Sequence, residues 1–132
     1  MAVLTPEMKE MVNNFQCFVG TVSKDGKQNI APKRSTRVLD DETIIFTEGT
    51  GRITYNNLLD GSSVVIAVVD RDTVDGYRFL GQAEVQSSGE NYERAAALSE
   101  QNGMPRPKAV VLVHIEEIQT LKPGPMAGQK IG

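Results

Sequence analysis

The feature that most constrains this chain is its punctuation: Asp25-Gly26, Asp40-Asp41, Asp60-Gly61 and Asp75-Gly76 divide it into short segments. Asp25-Gly26 supplies the positive-φ residue that a tight hairpin turn needs, so its flanking segments fold back antiparallel, while Asp60-Gly61 ends a short helix and Asp75-Gly76 opens a long strand. Phe15 to Ser23 and Gln28 to Arg34 flank the first such turn, and Pro32 within the return strand marks an edge or a bulge. Ser35 to Leu39 and Thr43 to Thr47 flank the second. Val64 to Val69 is apolar on both faces, as a central strand requires. From Tyr77 to Gln86, Tyr77, Phe79, Gly81, Ala83 and Val85 face one way and Arg78, Gln82 and Glu84 the other. Ala109 to Leu121 forms the last strand. Six or seven strands joined by tight turns predict a mainly β, α+β chain closing into an antiparallel barrel rather than a layered parallel sheet.

Three short helices complete the reading. Thr5-Pro6-Glu7 is a start signal, with a capping hydroxyl, proline at the first helical position and an acid in the first turn. Met8, Met11 and Val12 then carry an amphipathic helix to about Asn13. Ile53 to Leu59 and Glu90 to Gln101 are the others, the latter turning Tyr92, Ala95, Ala96 and Leu98 to the core. The 132 residues suit one domain, with an N-terminal helix in 1–14 and a tail, 122–132, lacking regular structure. A net charge of −3 argues against a nucleic-acid binder. The single Cys17, in a strand interior, rules out an intrachain disulfide and reads as a small buried hydrophobe. No apolar run approaches the ~20 residues that cross a bilayer. The N-terminus shows no secretory pattern, which leaves the cytoplasm as the default compartment.

The most informative stretch runs from Ile44 to Leu58. A strand enters a loop with Gly49 and Gly51, and the helix that follows carries Arg52 and Thr54 in its first turn. Glycines let backbone approach a ligand, and an arginine fork with a hydroxyl would complete a cradle for a phosphate. The same residues also read as a plain strand-to-helix turn with a surface arginine. A third reading takes Gly49-Thr50-Gly51 and Asp70 as a dinucleotide-binding unit, with Asp70 on a ribose hydroxyl. Against it, Thr54 stands where that fingerprint has its third glycine, and the helix is short.

The preceding strand extends the pattern. Pro32-Lys33-Arg34-Ser35-Thr36-Arg37-Val38-Leu39, then Ile45-Phe46-Thr47, then Gly51-Arg52-Ile53-Thr54 with Asn57, resembles the flavin-binding core of the pyridoxamine 5'-phosphate oxidase-like family. The similarity continues through Val64 to Val69 and Gly81-Gln82-Ala83-Glu84, and spans roughly Phe15 to Leu121. The resemblance implies a six-stranded split barrel and a homodimer with FMN at its interface. It places Pro32, Lys33, Arg34, Ser35 and Thr36 along the isoalloxazine ring, and Thr47, with Glu48 and Gly49 following it, near the ring or ribityl chain. Gly51, Arg52 and Thr54 would hold the phosphate, with Asn57 behind them. Many relatives have a lysine where this chain has Ile53, so Arg52, Lys33 or Arg34 would have to compensate. A deazaflavin is the alternative cofactor.

The residue chemistry points the same way. FMN is a phosphate dianion on a polar chain attached to a flat ring, and Lys33, Arg34, Arg37 and Arg52 gather cations around one locus of an acidic chain. The chain has no Trp and ends in Pro123-Gly124-Pro125-Met126-Ala127-Gly128, unlike the arginine- and tryptophan-rich end of the biosynthetic oxidases, which argues against pyridoxamine phosphate oxidation. The only histidine, His114, reads as barrel-lining, and without Cys partners it makes no metal site. Glu116 and Glu117, adjacent on a strand, are expected on opposite faces. No catalytic nucleophile with a base is visible, so any chemistry belongs to the cofactor. Two functions follow: an FMN oxidoreductase serving a small-molecule donor or acceptor, or a non-catalytic flavin-binding or electron-carrying protein. Neither involves nucleic acid or membrane. The tail from Pro123 to Ile131 is a candidate to cover a partner's site.

Overall fold

Seven strands form one antiparallel sheet in a computed structural model, which describes residues 2–132. The chain runs α1 (Pro6–Asn14), β1 (Cys17–Val22), β2 (Gln28–Pro32), β3 (Arg37–Asp40), β4 (Thr43–Glu48), α2 (Ile53–Leu59), β5 (Ser63–Asp70), β6 (Asp75–Gln86), α3 (Glu90–Gln101) and β7 (Ala109–Thr120). The order across the sheet is β2-β1-β5-β6-β7-β4-β3. β2 and β3 are thus consecutive in the chain but occupy opposite edges. Laid flat, the two edges of such a sheet would lie about 29 Å apart. The link from Pro32 to Arg37 reaches only about 18 Å. The sheet must therefore curl until its edges nearly meet, which makes a barrel with a split between β2 and β3.

The count is seven, the upper of the two expected from the segments and one more than the resemblance implied, and a turn separates β2 from β3. The Thr36 amide and hydroxyl both donate to the Lys33 carbonyl, at 3.1 and 2.7 Å, and close that turn. The barrel is filled from its concave side by Phe46, Phe79, Ile44, Ile66, Ile115 and Ile118, all fully buried. α1 closes one end with Met8 and Val12, after Thr5 Oγ1 accepts from the Met8 amide at 3.3 Å. A second cluster lies under α3, where Tyr92, Ala95 and Ala96 meet Ile45, Val110 and Leu112 on the convex face.

Four local expectations are corrected. Phe15 is exposed and caps α1 instead of starting β1, because its amide still bonds to the Met11 carbonyl. Leu98 is 47% exposed, since α3 buries only the narrow stripe of Tyr92, Ala95 and Ala96. The tail is ordered against its own chain: Gly128 donates to Thr120, Thr120 to Gln129, and Ile131 to Ile118. It fills the β7 edge where β4, which pairs only as far as His114, has ended. Finally, Glu116 and Glu117 do not alternate. Leu80 pairs with Glu117 and Gly81 with Ile115, so Glu116 is the extra residue of a bulge. Ile115 and Ile118 both point into the barrel, and the two glutamates between them both turn outward to Gln82 and Gln119. Gly81 makes this bulge possible, because a Cβ there would stand 2.2 Å from the His114 carbonyl oxygen.

Candidate functional site

The split is lined on one side by β2 and the turn after it, and on the other by the end of β4, the glycine loop and α2. An open cleft of about 230 Å³ lies there, bounded by Asn29, Ala31 and Lys33 across from Glu48, Thr50, Arg52, Ile53 and Thr54. Alternation decides which β2 residues reach it. Asn29 and Ala31 pair with Thr21 and Val19 and so share their inward face, while Ile30 points outward.

Of the residues singled out from sequence, the structure brings Lys33, Glu48, Arg52 and Thr54 to this cleft. Thr54 is buried, and its hydroxyl oxygen accepts from Asn29 Nδ2 at 3.1 Å, which leaves the hydroxyl proton to donate. Lys33 Nζ lies 2.7 Å from Glu48 Oε1, with the lysine side chain 19% exposed and the glutamate 2%. That contact is ionic but misaligned, and Oε1 makes no hydrogen bond although it is sealed from solvent. Asn57 stands behind the cleft, tying α2 to β1 through its Nδ2 and Thr21 Oγ1 at 3.0 Å. Gly51 holds φ +72°, and a Cβ there would strike Lys108 Cδ at 2.5 Å.

The remaining candidates serve the walls. Ser35 Oγ accepts from the Thr47 amide at 2.8 Å and so bridges the inter-strand turn to β4. Thr36 closes its own turn, and Gly49 is open backbone at the loop. Pro32 and Arg34 are exposed beside the cleft without lining it. The expected cluster of four cations is therefore not assembled: Arg37 pairs in register with Ile45 on the convex face. Burial and the neighbouring Arg94 charge lower its pKa below the usual guanidinium value, and Nη1 donates to the Ser35 carbonyl at 3.1 Å. The dinucleotide reading fails on topology, since β4 and β5 are neither adjacent nor parallel and Asp70 sits at the β5–β6 turn.

A family model described as pyridoxamine 5'-phosphate oxidase matches residues 4–122. The chain belongs to the pyridoxamine 5'-phosphate oxidase family. Among solved structures, HupZ of Group A Streptococcus is 42% identical over 98% of this chain and 99% of its own, with a TM-score of 0.87. A candidate pyridoxamine 5'-phosphate oxidase of Lactobacillus delbrueckii is 30% identical over 88% of this chain and 93% of its own, at 0.79. An FMN-binding protein of Syntrophomonas wolfei, 23% identical over 89% of this chain and 88% of its own at 0.74, shares the fold. Sequence reasoning missed Asn29, Ala31 and Thr50 as cleft walls and Lys108 behind the loop. Ile53, in the position where many relatives carry lysine, is 61% exposed at the rim. Lys108 gives its amide to the Glu48 carbonyl at 2.8 Å and lays its ammonium 5.3 Å above the Tyr55 ring. No local motif marks it; only the β4–β7 pairing brings it there.

His114 is also displaced from expectation. It lies on the convex face in register with Gln82 and Thr43, its side chain 42% exposed, and its Nε2 is 2.9 Å from Glu84 Oε1. Among the described residues no group of three or more His, Cys, Asp or Glu side chains could hold a metal ion, and no helix is long and apolar enough to cross a membrane.

Proposed function

We infer that this family member binds FMN, with the phosphate and adjoining chain in the cleft of the split barrel. The observation that carries the reading is the donor set of that cleft: the cationic side chains of Lys33 and Arg52, the hydroxyls of Thr50 and Thr54, and the Asn29 amide meet in one small opening. A phosphate on a polyhydroxylated chain satisfies such donors, while the Lys33 ammonium stays against Glu48 Oε1 at 2.7 Å. The FMN-binding name of the Syntrophomonas wolfei relative supports the same ligand.

A cofactor-sized ligand needs roughly 300–1,000 Å³. This cleft, at about 230 Å³, takes only part of one, so the ring extends beyond it. The convex faces of β1, β2 and β5 beside the split expose Phe18 (45%), Val22 and Ile30 (73%), an apolar patch of the kind that a second copy covers. The proposed homodimer places that patch against the partner and encloses the ring between the two copies.

When bound, FMN would supply hydride or single-electron transfer, taking electrons from a small-molecule donor or passing them to a small-molecule acceptor. The chain's own part is to grip and orient it. Arg52 anchors the phosphate, Thr54 is aimed by Asn29, and the Ser35 bridge fixes the turn along which the ring is proposed to lie. The test is FMN affinity of the wild type and of Arg52→Ala, paired with steady-state oxidation of a reduced nicotinamide. Loss of a charge-assisted phosphate contact is expected to weaken FMN about 10- to 100-fold. Equal affinity for both proteins would overturn the site. Tight FMN binding without turnover of any donor would leave a flavin carrier in place of an oxidoreductase.

A further inference from the structure

The cleft contains a charge that its proposed ligand does not call for. Glu48, at the end of β4, is 2% exposed and lines a cavity otherwise furnished with cations and donors. A carboxylate buried there repels any anion entering beside it, and its partner is the Lys33 ammonium, whose Nζ stands at 2.7 Å. The pair is local and strong because both partners are largely withdrawn from water. Its two charges cancel at the Lys33 end of the cleft, and Arg52 is left as the uncompensated cation among the lining residues. The same carboxylate leaves Oε1 without an aligned hydrogen bond. A second anion brought against that end of the cleft is penalised by the carboxylate.

We propose that Glu48 is the charge-selecting residue of the cleft, cancelling Lys33 so that Arg52 alone is free to hold a single phosphate group beside uncharged neighbours. The ligand class is then a phosphate monoester whose next polar group is a hydroxyl or amide, and a diphosphate is rejected. The proposal rests on the reading of the cleft as a phosphate-ester site and adds its discrimination. It assigns Lys33 to hold Glu48 rather than to hold phosphate.

The experiment compares inorganic phosphate with pyrophosphate by calorimetry on the full chain, with FMN titrated in parallel. The proteins are the wild type, Glu48→Gln, Lys33→Met and the double variant Lys33→Met/Glu48→Gln. Glu48→Gln keeps the shape and removes the negative charge, so its preference for pyrophosphate over phosphate should rise about tenfold. Lys33→Met leaves Glu48 unpaired and should lower affinity for both anions. The double variant restores local neutrality and should return the preference to the wild-type value, which a purely structural role for Glu48 would not do. If Glu48→Gln does not fold, Lys33→Met against the double variant decides: the pyrophosphate preference should fall in the first and return to the wild-type value in the second. An unchanged preference in folded Glu48→Gln, or a double variant that differs from the wild type, overturns the proposal. FMN binding with an unchanged pyrophosphate preference sinks the charge selection alone. A tenfold gain for pyrophosphate in a protein that ignores FMN supports the selection and removes the flavin.

Discussion

Replacing Gly81 with alanine tests the reasoning about the β6–β7 bulge. The new Cβ would stand 2.2 Å from the His114 carbonyl oxygen, 2.9 Å from its carbon and 3.2 Å from Val113 Cγ1. The first of these is about 0.8 Å inside the closest approach that non-bonded atoms tolerate. Overpacking in a dense interior costs about 1–3 kcal/mol, and here the obstacle is the backbone of a paired strand, which no rotamer change can clear. Stiffening of the unfolded chain by alanine offsets about 0.4–1 kcal/mol. With the cost at the upper end of its range, the net loss is about 2 kcal/mol, or roughly 8 °C in Tm for a domain of this size. Two glycines calibrate the measurement. At Gly20 the obstacle is Val65 Cγ1 at 2.6 Å, a side-chain atom that can shift, and at Gly49 nothing lies within 4 Å. Urea denaturation should rank Gly49→Ala as near neutral, Gly20→Ala as intermediate and Gly81→Ala as the most damaging, with the denaturant slope unchanged. A Gly81→Ala protein as stable as Gly49→Ala would refute the account of the bulge.

Two further outcomes follow from the titratable groups. Burial pushes the Cys17 thiol up to about 12, so at pH 8 a thiol reagent should leave the native protein unmodified and titrate one equivalent after unfolding in urea; rapid labelling of the native state would contradict the placement of Cys17 in the core. Hydrogen bonds from His114 first, and Gln86 second, hold the Glu84 carboxyl below the usual carboxylate range. A depressed folded pKa favours folding above the ordinary carboxylate range, and that contribution is lost as pH falls through the depressed value. His114→Ala should therefore move the Glu84 titration upward in carboxyl NMR, and an unmoved titration would show the pair to be absent in solution.

Much of the architecture was legible because it rests on local chemistry. The Asp25-Gly26 turn, the Thr5 cap and the doubly apolar β5 each act within a few residues, and the ordered motif set pointed to the right family. What escaped depended on partners distant in sequence. Nothing near Glu116 announces that β7 carries an extra residue; the bulge is visible only opposite Gly81. The tail's pairing to Thr120 and Ile118 needs the edge that β4 vacates. At the site, Arg52 and Thr54 were marked by the glycine loop, while Asn29 became relevant only when strand alternation aimed it at Thr54. Arg37 was grouped with the cations by sequence proximity, and the turn that closes at Thr36 carries it to the convex face instead.

The most direct measurement is equilibrium titration of the purified, flavin-free protein with FMN and with riboflavin, followed by flavin fluorescence and checked by the visible spectrum. The proposed site predicts one FMN per protomer, and binding of riboflavin weaker by at least about tenfold because it lacks the group that Arg52 and Thr54 are proposed to hold. Equal affinity for the two, or no binding of either, would contradict a cleft built around a phosphate.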